Sequence, residues 1–130
     1  MSLRTAAVFI ALTFATAAAV DAKPRARKGH WITMSATAYC RAGITQSGVH
    51  TRRGTVATDP AWIPLGSTVR VRGLRGVRDG VFVVADTGSA ITGKRIDVFV
   101  PDCRAARAFG RQPVRVLVVR RGPQALAAQR

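Results

Sequence analysis

The chain contains no glutamate, so every side-chain carboxylate is one of six aspartates: Asp21, Asp59, Asp79, Asp86, Asp97 and Asp102. Any acid or base chemistry by a carboxyl group therefore rests on aspartate. Cysteine is scarcer still, with Cys40 and Cys103 only. No Cys-x-x-Cys pair and no His/Cys cluster accompanies them, which argues against a structural zinc site, and no metal or other cofactor is expected. His30 and His50 have no ligand partners at useful spacing and read as solvent-facing. Aromatic residues make up 6% of the chain and do not interleave with the arginines, so the stacking platform of a nucleic-acid binder is missing. The apolar run from Ala6 to Val20, about 15 residues, falls short of the ~20 that a membrane-spanning helix needs.

What that run does fit is an export signal. Arg4 supplies the positive start, and Ala17-Ala18-Ala19 or Val20-Asp21-Ala22 offers small residues for cleavage, so residues 1–22 are expected to be a signal peptide. The mature protein would then be periplasmic or secreted, with no transmembrane span left after cleavage. The basic stretch KPRARKG opens a leader over 23–30 that is expected to be flexible, residues 31–121 form the folded domain, and the alanine- and glutamine-rich tail 122–130 is expected to fray. Export also bears on the cysteines. An even count in an oxidising compartment favours a Cys40–Cys103 disulfide, with two buried thiols as the alternative.

The formal net charge is +15, and removing residues 1–22 leaves it unchanged because Arg4 and Asp21 leave together. Such a surface attracts polyanions. In the cell envelope these are peptidoglycan peptides, teichoic acids and lipid head groups; nucleic acid is not an expected partner.

From Trp31 onward the apolar period is that of strands. WITMSATAY (31–39), TVATD (55–59), TVRVRG (68–73), VFVVAD (81–86), RIDVFV (95–100) and VRVLVV (114–119) are short and rich in valine, isoleucine and threonine. Pro60, Gly66, Gly73, Asp79-Gly80, Gly88 and Gly93 fall between them as turn residues. Six short strands in so small a domain predict a closed barrel, because closure removes exposed edges. DCRAARAFG (102–110) breaks the pattern and predicts one short helix, with Asp102 as N-cap and Gly110 as its stop.

Asp86 and Asp97 lie in one glycine-punctuated segment, VADTGSAITGKRIDVF, and Asp59 lies upstream in TVATDPAWIPLG. The DTG at Asp86 resembles the signature of aspartic proteases, where two such aspartates share a proton. A single copy would need a homodimer, and the later Gly-Arg-Asn or Gly-Arg-Asp pattern of the retroviral enzymes is absent.

A second resemblance covers far more of the chain. TAYC (37–40), GITQSG (43–48), VATDPAWIPLGS (56–67), VVADTGSAITGKRIDVF (83–99) and AFGRQPVRVLVV (108–119) resemble, in that order, the 3D domain. That domain is named for three aspartates and occurs in stationary-phase survival proteins and the membrane-bound lytic transglycosylase A family. The resemblance implies an all-β fold, a six-stranded double-psi β-barrel, with the one short helix added by the sequence. It also implies cleavage of peptidoglycan glycan strands at the MurNAc-GlcNAc β-1,4 bond with formation of a 1,6-anhydro-muramoyl end.

By position, Asp97 matches the family's acid/base, with Asp86 and Asp59 as its partners. Carboxylates set close together cannot all ionise, so one of them would keep its proton near neutral pH. Asp59 before Pro60 has a turn role as its competing reading, and Asp86 a loop-capping one. Thr37, Tyr39 and Thr45 match threonine- and tyrosine-bearing motifs of the family and would line the glycan groove. Thr87, Gly88, Ser89, Lys94 and Arg95 would contact sugar hydroxyls, peptide carboxylates or the approaching backbone. Trp62 reads as packed beneath its loop. A non-catalytic barrel of expansin type, binding peptidoglycan or another anionic wall polymer, is the alternative to the enzyme.

Overall fold

Alternation along the strands sorts the side chains into an inside and an outside. Met34 and Ala36 of β1 (Trp31–Tyr39), Val56 and Thr58 of β2 (Thr55–Thr58), and Val69 and Val71 of β3 (Thr68–Arg72) are buried. So are Phe82 and Val84 of β4 (Gly80–Asp86), Ile96 and Val98 of β5 (Arg95–Phe99), and Val114, Val116 and Val118 of β6 (Gln112–Arg120). These β-branched and apolar residues recur at every second position, as a half-buried strand requires. In this computed structural model, which describes residues 26–123, the strands close into a barrel in the order β1-β5-β2-β4-β3-β6. Two pairs, β1 with β5 and β2 with β4, run parallel, and the other neighbours are antiparallel. The six-stranded closed barrel with one short helix expected from the sequence is the fold observed.

The helix α1 (Cys103–Phe109) forms where the sequence places it. The Asp102 carboxylate accepts from the amides of Arg104 and Ala105, and Gly110, at φ 63°, ends the helix. The Cys40–Cys103 disulfide ties the start of α1 to the end of β1 across a sequence separation of 63. No helix of the described residues is long and apolar enough to cross a membrane.

Two boundaries differ from expectation. The expected signal peptide and the tail from 124 on lie outside the described residues. The last part of the expected flexible leader, however, is docked. Ala26 is only 2% exposed and belongs to the core cluster, Lys28 bridges to Val118, and the Gly29 amide donates to the Val118 carbonyl. Charge composition could not reveal this, because the partner is the main chain of β6. At the other end, Gly122 is buried and donates to Ser67 Oγ, and a Cβ there would meet the backbone of Leu65, Gly66 and Ser67. The chain therefore stays with the barrel past Arg121.

Candidate active site

Four residues stand in one lateral row on the outer face of the barrel. Thr37 pairs with Asp97 across β1 and β5, Asp97 with Ala57 across β5 and β2, and Ala57 with Asp86 across β2 and β4. Directly paired residues share a face, so both aspartates point outward beside Ala57. For Asp86 this needs a bulge. Val56 pairs with Val84 but Ala57 pairs with Asp86, so Ala85 is the extra residue in β4. Without it, alternation would turn Asp86 to the side of Phe82 and Val84.

The Thr37 hydroxyl donates to Asp97 Oδ1 at 2.8 Å, and Arg95 Nη2 donates to Thr37 Oγ1 at 3.3 Å. Guanidinium can only donate, so it occupies a threonine lone pair and directs the single hydroxyl hydrogen toward Asp97. Arg95 is itself held by Nη1 donating to the Ala90 carbonyl at 2.8 Å. Asp97 is half-buried, and burial pushes its carboxyl above the ordinary value of 3.8. The Thr37 hydrogen bond and the Arg95 charge pull the other way without cancelling that effect.

Sequence reasoning expected neighbouring carboxylates to raise this pKa; the structure gives burial as the cause. Asp86 stands two strand spacings away, about 10 Å between Cα atoms, and is not among the causes of the Asp97 shift.

The other two acids are engaged with the main chain. Asp86 Oδ1 accepts from the amides of Gln46 at 3.0 Å and Thr87 at 2.9 Å, which ties the β1–β2 loop to the end of β4. Asp59 Oδ1 accepts from Ala61 and Oδ2 from Gly93, joining the β2–β3 loop to the β4–β5 loop. Gly93 takes φ 67°, a conformation that side-chain-bearing residues rarely adopt, and so presents its amide there. The turn and capping roles weighed for Asp59 and Asp86 are thus both present.

Tyr39 lies two residues on from Thr37, with its ring 5.4 Å from that of Phe99. Its hydroxyl is buried beside Thr55, whose side chain pulls the phenol pKa down but does not offset the other effects. Burial first, then the Asp86 charge and more weakly that of Asp97, push the phenol up to about 12. It is a neutral donor at any physiological pH and senses both carboxylates.

Of the other candidates, Thr87 is half-buried beside Asp86, while Gly88 and Ser89 are exposed on the loop that follows. Lys94 is exposed, with its ammonium 5.4 Å from the half-buried Trp62 ring. Thr45 is not brought to the groove. It is buried, and its hydroxyl is engaged within its own loop by the Val49 carbonyl and Ser47.

Two contributions escaped sequence reasoning, a second role for Arg95 and the presence of Ser35. Arg95 received no role toward Thr37; the available signal was its i−2 position on the same strand face as Asp97. Ser35, one outward step from Thr37 on β1, has a buried hydroxyl without a partner and lines a shallow cleft of about 490 Å³ with Thr33, Lys94 and Arg111.

The chain matches the 3D domain family over residues 54–120, a stretch that contains Asp59, Asp86 and Asp97. The chain belongs to the 3D domain family. YabE of Bacillus subtilis, named for cell wall shaping, is 38% identical over 70% of this chain and 23% of its own length. The cell wall-binding protein YocH of the same species is 39% identical over 68% of this chain and 32% of its own. The chain thus spans less than a third of each of these curated relatives. Among solved structures, Escherichia coli MltA with bound chitohexaose superimposes with a TM-score of 0.53 at 23% identity, covering 64% of this chain and 29% of MltA. That likeness concerns the barrel: the 3D domain here has the fold found within a lytic transglycosylase.

Proposed function

We propose that this 3D domain acts in the cell envelope as a peptidoglycan lytic transglycosylase, with Asp97 as the one acid and base. The observation that carries the reading is Asp97 itself: a half-buried carboxyl, raised in proton affinity, on the open face of the barrel. The Thr37 hydroxyl occupies Oδ1 as a donor, so the acidic proton belongs on Oδ2. Oδ2–H protonates the glycosidic oxygen as the C1–O bond breaks. The resulting carboxylate then takes the proton of the sugar's own C6 hydroxyl while that oxygen bonds to C1, giving the 1,6-anhydro end. A hydrolase would need a second carboxylate as nucleophile or as base for water. This route needs only one, which suits a site whose other two aspartates hold loops. Arg95, coupled through Thr37, eases the build-up of negative charge on Asp97 after proton transfer.

A second reading has its own support. YocH is named as a wall-binding protein, and the hydrogen bonds of Asp59 and Asp86 give both a structural reason to be present. In that reading the barrel holds peptidoglycan without cutting it. Digestion of purified peptidoglycan, analysed by mass spectrometry beside an Asp97→Asn variant, separates the two. Anhydro-muropeptides released by the native protein and absent with the variant support the enzyme. Co-sedimentation with the wall and no release support the binding module.

A further inference from the structure

The closed strand order places β6 across the barrel from β2, equally far in both directions. The face centred on β6 therefore looks away from the aspartate row centred on β2. Its outward positions form two registered rows across β1, β6 and β3: Trp31, Leu117 and Arg70, then Thr33, Arg115 and Arg72. Arg70, Arg72 and Arg115 are all exposed. Arg72 and Arg115 are directly opposed, an unfavourable like-charge pair across two strands. Both guanidinium groups lie over the Trp31 ring, 5.0 and 5.4 Å from its centroid. The ring partly offsets the repulsion, and a bound anion would relieve the rest.

No carboxylate among the described residues does so. Asp79, at the turn after β3, gives its oxygens to the amides of Gly73 and Leu74. Every hydrogen bond accepted by the five described aspartates comes from a main-chain amide or from Thr37.

We propose that this second face docks an anionic wall polymer built of polyol phosphate units. Arg70 and Arg72 are about 7 Å apart along β3, and Arg72 and Arg115 about 5 Å across the strands. That density of cations suits a chain with one phosphodiester in each short repeat. The carboxylates of peptidoglycan are gathered on stem peptides carried one per disaccharide, a less regular row than that of a phosphodiester chain. Arginine forks bind phosphate oxygens in pairs. Exposed Val81, beside Arg70 on β4, gives the polyol carbons an apolar shoulder. Trp31 already carries two guanidinium groups over its ring, which compete with base stacking and set this face apart from a nucleic-acid site. The inference rests on the envelope setting of the proposed function but not on glycan cleavage.

The test is calorimetric titration of the purified protein with poly(glycerol phosphate) over a range of salt. Binding is expected to weaken as salt rises. The combined variant Arg70→Gln, Arg72→Gln, Arg115→Gln should bind at least roughly tenfold more weakly, with a log–log salt slope shallower by about two. The corresponding all-lysine variant keeps the charge without the forks and should fall between them; it decides the matter if the glutamine variant does not fold. Native-like binding by whichever of these variants folds would overturn the proposal. So would equal affinity of the native protein for polyglutamate or a single-stranded oligonucleotide. Because the probe contains no glycan, this result is independent of cleavage. Release of anhydro-muropeptides from peptidoglycan stripped of phosphate polymer should be the same for native protein and the glutamine variant.

Discussion

Thr37 and Asp97, sixty positions apart in sequence, are direct neighbours across β1 and β5, and the threonine hydroxyl donates to Asp97 Oδ1 at 2.8 Å. This bond lowers the proton affinity that burial raises. Thr37→Val removes the donor at nearly constant volume, so Asp97 should hold its proton to higher pH. In the enzyme reading, activity is lost as pH rises through the Asp97 pKa, because the acid must be protonated. The alkaline limb of kcat/KM should therefore move to higher pH in Thr37→Val and return in Thr37→Ser. A uniform loss of rate with an unmoved limb would mean that Thr37 only shapes the groove.

Asp97 should also affect stability in a direction opposite to its effect on activity. Its folded pKa lies above the ordinary 3.8, so ionisation costs more in the folded protein than in the unfolded chain. The stability it contributes is complete below about pH 3.8 and lost as pH rises through the folded pKa. Asp97→Asn is thus expected to be inactive yet at least as stable as the native protein at pH 7, with no such advantage at pH 3. Thermal melts at the two pH values read this directly. A variant clearly less stable at pH 7 would show that the carboxylate holds the fold together.

Much of this arrangement was legible in the sequence, and what was not has identifiable causes. All six strands and α1 with both caps follow from local signals: a period of two, turn residues between runs, Asp102 and Gly110. The facing of Asp86 does not. In VFVVAD, alternation assigns it to the side of Phe82 and Val84, and only the bulge at Ala85 reverses this. A bulge of this kind contains no glycine or proline to announce it. The Arg95–Thr37–Asp97 chain depends on β5 inserting between β1 and β2, a matter of long-range pairing that no local pattern encodes. The docking of Ala26 to Gly29 was hidden for the same reason.

Asp59 should prove to be a residue of the scaffold. Its carboxylate accepts from Ala61 and Gly93, and its carbonyl accepts from the amides of Trp62 and Ile63, so one residue starts a turn and anchors a second loop. Asp59→Ala deletes two charge-assisted hydrogen bonds from amides and should cost about 1–3 kcal/mol. Urea denaturation measures this cost. In the enzyme reading, residual anhydro-muropeptide release should exceed that of Asp97→Asn; complete loss without destabilisation would make Asp59 a participant in the chemistry.

The disulfide should carry a large share of the stability of so small a barrel. Cys40 follows the last residue of β1 and Cys103 opens α1, so the bond closes a long loop that includes β2 to β5. In the chain-entropy description, closing a loop of that length in the unfolded state is worth about 4 kcal/mol, comparable to the whole margin of many small domains. The bond also fixes α1 against the end of β1 that bears Tyr39. Cys40→Ala with Cys103→Ala is expected to lose stability by about that amount in urea, and reduction of the native protein should do the same. Because Thr37 and Asp97 are held by the β1–β5 ladder rather than by α1, whatever fraction remains folded should keep the Asp97 pH limb where it was. A displaced limb in the folded fraction would mean that the helix end of the barrel, through Tyr39, sets the burial of the acid.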